Sequence, residues 1–112
     1  MKDNSIFIDH IIESIEKIQE YTHGLTEGGF LQNRLIQDAV IRNFEVIGEA
    51  TKNLSYDFRQ KYPNIEWKKI SGMRDKLIHD YMGVDLWAVW GVVTDILPTL
   101  LKELVAIQRN RP

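Results

Sequence analysis

Phe7, Ile8, Ile11, Ile12, Ile15 and Ile18 recur at spacings of three and four, the period of a helix that buries one face. Asn4 or Ser5 is placed to cap that helix. Gly24 and the pair Gly28-Gly29 interrupt the pattern and predict a loop. A second helix is expected from about Phe30 to Leu54. Its apolar set is broad (Leu31, Leu35, Ile36, Ala39, Val40, Phe44, Ile47, Ala50, Leu54), as suits a central helix touching two neighbours. Pro63 closes the connection that follows, and a third helix is expected from about Ile65 to Met82, stopped by Gly83. Asp85 is a good cap for a fourth helix carrying Leu86, Trp90, Val93, Leu97, Leu100, Leu101 and Leu104. Pro98 falls inside that helix and should bend it, because proline removes a backbone donor. No run alternates with period two over a strand's length. The pattern therefore predicts an all-α chain, an antiparallel up-down four-helix bundle whose C-terminal helix is kinked.

A length of 112 residues fits one domain spanning 1–112 and one modest core. With 44% apolar and 27% charged residues, intrinsic disorder is excluded as the chain's general state. No cysteine is present, which removes disulfides, thiol chemistry and cysteine-built zinc sites, and fits a reducing cytoplasm. No apolar stretch is long enough to span a bilayer, and the N-terminus shows no signal-peptide core, so no membrane partner and a cytoplasmic location are expected. The net charge of −2 argues against nucleic acid until its distribution is considered. Arg59, Lys61, Lys68, Lys69, Arg74 and Lys76 face only Glu66 and Asp75 over residues 59–76, so this segment is +4 on an otherwise acidic chain. Such a patch can attract a polyanion or can be an ordinary solvated helix face.

The third helix breaks its own pattern. On a helical wheel with Arg74 at the origin, Trp67, Ile70, Leu77, Ile78 and Tyr81 all fall within about 60° of it. A guanidinium thus stands in the middle of an apolar stripe, where an unpaired charge costs several kcal/mol. Either a carboxylate from another helix, with Glu45 or Glu49 as candidates, or a visiting anion must meet it. Asp75 and His79 are four residues apart and can touch, and a carboxylate beside an imidazole fixes its tautomer. Arg74 and His79 lie about 140° apart on the wheel, so a two-fold axis that lets each cleft draw on both chains would bring them together more readily than one helix can. His10 and His23 have no such setting and are expected on the surface. No pair of histidines has ligand spacing, and no metal site is expected. Gly28-Gly29 lacks the Lys-Ser/Thr of a phosphate loop. Trp67, Trp87 and Trp90 are most simply core or interface residues.

Residues 38–50, Asp-Ala-Val-Ile-Arg-Asn-Phe-Glu-Val-Ile-Gly-Glu-Ala, and residues 62–85, which hold Tyr-Pro-Asn-Ile-Glu-Trp and an intact Arg-x4-His-x-Tyr at Arg74, His79 and Tyr81, resemble the HepT-like proteins of the HEPN superfamily. The resemblance covers about residues 5–108. It implies a helical homodimer whose two motifs share a cleft, acting as a metal-independent endoribonuclease toxin of a type VII toxin–antitoxin pair. It also implies a partner, an MntA-like nucleotidyltransferase antitoxin that adds AMP to the motif tyrosine. Carried over by position, Arg74 and His79 are catalytic, Asp75 is an auxiliary polar residue and Tyr81 accepts the AMP. Lys68, Lys69 and Lys76 form the RNA-binding patch, and no cofactor is needed. Asp75 stands where many relatives have Asn, and a carboxylate there can also pair with Arg74 or His79 and mute them. The residue chemistry suits the reaction: a histidine exchanges protons near neutral pH and a guanidinium braces phosphate oxygens. The alternative is a non-catalytic helical module that partners a separate nucleotidyltransferase.

Overall fold

A computed structural model describes residues 3–78 and 85–110, with the backbone alone over 73–78. The first helix, α1 (Asn4–Thr22), is capped one residue earlier than expected, by Asp3, whose carboxylate accepts the Ser5 N–H at 2.9 Å. A negative charge there also suits the positive end of the helix. Asn4, freed from capping, pairs reciprocally with Ser55: it accepts the Ser55 N–H at 2.9 Å and donates to the Ser55 hydroxyl at 3.2 Å. Ile8, Ile11, Ile15 and Ile18 of α1 are fully buried, as their spacing predicts.

The next segment differs from expectation. Gly28 and Gly29 lie within a short helix, α2 (Glu27–Leu31), capped by the Thr26 hydroxyl. Gly24 does sit in a turn, at φ 78°, and a second break falls at Gln32-Asn33, where the Asn33 side chain accepts the Ile36 N–H and starts α3 (Arg34–Asn53). The buried amide of Gln37 bridges the break by donating to the carbonyls of Phe30 (2.9 Å) and Leu31 (3.0 Å). Leu35, expected in the core, is 80% exposed. With α3 running from Asn33, position 35 faces away from buried Val40, Phe44 and Ile47. As its broad stripe predicts, α3 packs against both α1 and α5.

Ser55 caps a short helix that periodicity did not reveal, α4 (Tyr56–Lys61). After Pro63, α5 (Trp67–Ile78) begins two residues later than expected; the expected stop at Gly83 lies outside the described residues. Asp85 caps α6 (Leu86–Gly91) as predicted, accepting the Ala88 N–H at 3.1 Å. The disturbance expected at Pro98 takes the form of a π-helical turn, Val92–Ile96, just before α7 (Leu97–Arg109). Pro98 cannot donate to the Thr94 carbonyl, and its ring crowds that oxygen. A wider turn, in which the Leu97 N–H reaches back to the Val92 carbonyl, relieves the clash. Leu97, Leu100, Leu104 and Ile107 bury one face of α7, which packs on α1. There the Gln108 amide donates to the Ser5 carbonyl at 3.0 Å and to the Asp9 carboxylate. No strand occurs among the described residues, and the fold is all-α.

Candidate nucleic-acid interface

The basic segment occupies α4, the connection after it and α5. What joins them is Trp67, the first residue of α5. Its ring is buried and its indole N–H is shared between the carbonyls of Arg59 and Tyr62, each at 3.1 Å. The Phe58 ring lies 6.2 Å from that of Trp67 and 5.1 Å from that of Tyr62. The shared indole bond and these ring contacts make a firm corner, so the cations around it sit on fixed backbone.

Lys68 and Lys69 emerge from the first turn of α5 and are exposed. Lys69 bridges to Glu66 at 3.3 Å, a solvent-facing pair of small energetic weight. Arg74, Asp75 and Lys76 belong to the helical backbone of α5, and their side chains lie outside the described residues, as do His79 and Tyr81 altogether. Position 74 follows buried Trp67 by seven residues and buried Ile70 by four, so it continues their stripe along the helix that packs on α3. Of the acids considered as partners for Arg74, Glu45 is paired with Arg42 at 3.3 Å and Glu49 is exposed. His10 and His23 are exposed, as expected. Among the described residues no three histidine or acidic side chains gather as a metal would require, and no helix is long and apolar enough to cross a membrane.

Two residues of this face were given no role of their own in the sequence. Arg59 entered only as a charge, and Tyr56 lacks a periodic context because α4 is too short to have one. Both border a recess at the α4–α5 corner, and Tyr56 is 68% exposed.

The described residues are all-helical, a run of cations follows α4 and α5, and the Arg-x4-His-x-Tyr stretch of the sequence begins at Arg74 within α5. Residues 11–107 match the model of the family described as ribonuclease HepT-like, and the chain belongs to that family. Its relatives agree. A Methanocaldococcus jannaschii protein, named for a gamma-glutamylcyclotransferase joined to a provisionally named RNase, is 51% identical over 109 residues. These are 97% of this chain and 49% of that protein, so the chain spans about half of that relative's length. A second protein of the same organism, provisionally named an RNase, is 42% identical over 97% of this chain and 90% of its own length. A Thermococcus cleftensis protein, provisionally named a ribonuclease HepT, is 44% identical over 84% of this chain and 86% of its own. No solved structure gives a significant match.

Proposed function

We propose that the chain is an endoribonuclease that cleaves RNA without a metal ion, using Arg74 and His79 in a cleft between two copies of itself. The observation that carries this is the family match, whose span of residues 11–107 includes Arg74, His79 and Tyr81. RNA brings its own nucleophile. The 2′-hydroxyl oxygen attacks the adjacent phosphorus while an imidazole takes its proton, and the bond to the 5′-oxygen breaks. A second imidazole, from the other copy, gives that leaving oxygen a proton. The products are a 2′,3′-cyclic phosphate and a free 5′-hydroxyl. The guanidinium of Arg74 neutralises charge growing on the non-bridging oxygens. Lys68, Lys69 and Lys76 hold the flanking backbone, and Asp75, four residues before His79 in sequence, orients the imidazole.

Within this scheme the protein is the toxin of a toxin–antitoxin pair in the cytoplasm. An MntA-like nucleotidyltransferase silences it by transferring AMP from ATP to the Tyr81 hydroxyl, with pyrophosphate leaving. The adduct adds bulk and negative charge two residues from His79, where the RNA phosphate must lie.

Purified protein should cleave single-stranded RNA in the presence of EDTA. Arg74→Ala and His79→Ala should each reduce cleavage by at least about a hundredfold, the scale of losing one charge-stabilising or proton-transferring group. Cleavage that persists in both variants, or that EDTA abolishes, would reject the assignment.

A further inference from the structure

The recess at the α4–α5 corner, about 470 Å³ in volume, is bordered by Tyr56, Arg59, Pro63, Glu66, Trp67 and Lys68. Three features set it apart from an ordinary surface dent. Tyr56 presents its ring to solvent at the rim instead of packing it into the core. Arg59 and Lys68 outnumber Glu66, the acid of the recess, whose carboxylate bridges to Lys69. The Nε of Arg59 is buried and has no hydrogen-bond partner among the described residues. A buried charged donor without an acceptor is costly and uncommon. The guanidinium therefore gains a bond, and forfeits none at that nitrogen, when it turns onto an anion.

We propose that this recess is a subsite for single-stranded RNA, in which a base stacks on Tyr56 while the adjoining phosphate is held by Arg59 and Lys68. The proposal rests on the ribonuclease assignment above and adds to it a place where the strand is gripped away from the reacting phosphate. Stacking on an exposed aromatic ring beside cations is how proteins hold single strands without reading sequence. The rigid corner favours such a grip, because Trp67 ties α4 to α5 and little ordering is needed when the strand arrives. From Trp67 to position 74 the helix rises about 10 Å, a span that a short single strand bridges, so one RNA can fill the recess and reach the motif. The cationic rim disfavours a basic protein segment, and double-stranded RNA keeps its bases unavailable for stacking.

The test uses the full-length His79→Ala protein, which holds RNA without cutting it, a labelled ten-nucleotide single strand, EDTA in the buffer and fluorescence anisotropy. Tyr56→Ala should weaken binding about tenfold, the effect of losing one base stack, while Tyr56→Phe keeps it within about twofold. Arg59→Gln with Lys68→Gln should weaken it by a similar factor and flatten the plot of log Kd against log salt by about 1.4, the contribution of two contacts on a single strand. A matching duplex should bind less tightly and lose nothing with Tyr56→Ala. Single-strand binding unchanged in Tyr56→Ala and in the double variant, with RNA cleavage by the unaltered protein intact, would overturn the subsite and leave the ribonuclease assignment standing. Equal losses in Tyr56→Ala and Tyr56→Phe would overturn the stacking. If the unaltered protein neither binds nor cuts RNA, both fall.

Discussion

Single polar side chains decide where the helices of this chain start. Asp3, Thr26, Asn33, Ser55 and Asp85 each accept an N–H of the first turn that follows them. Asp85 was legible because it precedes an apolar run directly. Asn33 was not, because the apolar positions on its two sides, Leu31 and Leu35, read as one continuous stripe until the cap splits them. The break is then sealed by Gln37, whose amide satisfies two carbonyls at the end of α2. Gln37→Ala should therefore cost about 1–2 kcal/mol, because it removes the side-chain donor from both carbonyls, of which the Phe30 carbonyl keeps the Asn33 N–H at 3.2 Å. Asn33→Ala should cost about 1 kcal/mol, the loss of one cap. Urea denaturation of both variants orders them; a Gln37→Ala protein as stable as the parent would mean that water replaces the amide at no cost.

Elements longer than three turns were legible, and the short separate helices α2 and α4 were not. Ile8, Ile11, Ile15 and Ile18 repeat often enough for a period to be read, and α1 and α3 follow. The six residues of α4 offer no period, so the sequence disclosed only its charges. Its position is set by a tertiary bond that no local rule contains, the Trp67 indole donating to the carbonyls of Arg59 and Tyr62. Trp67→Phe keeps an aromatic ring in the core but removes that donor, leaving each carbonyl only its backbone partner, the Tyr62 N–H on Arg59 and the Ile65 N–H on Tyr62, each at 3.2 Å. A loss of about 1–2 kcal/mol is expected, with α4 cut sooner than α1 or α3 in limited proteolysis, because a local opening should release the short helix first. If α4 is no more protease-sensitive in the variant, the corner is held by the Phe58 and Tyr62 rings and not by the indole bond.

At the scale of the whole molecule, the sequence offers the proposed site as chemistry and carries nothing of its geometry. A guanidinium on an apolar stripe stands out in sequence because the stripe defines what should occupy that position; buried Trp67 and Ile70 supply that stripe in the fold. How Arg74 and His79 meet involves, in the proposed scheme, a second copy, which one chain's periodicity cannot encode. Mixing the unaltered protein with His79→Ala tests this arrangement. If one cleft needs an imidazole from each copy, a mixed dimer holds only one of the two and is inactive. Activity of randomly mixed, co-refolded chains then follows the square of the unaltered fraction, so equal amounts should retain about one quarter of the unaltered activity. If each copy carries a whole site of its own, activity falls in proportion to that fraction and equal amounts retain about one half. The measurement is RNA cleavage in EDTA as a function of mixing ratio at fixed total protein. A straight line through the origin would place every group of a site on one chain.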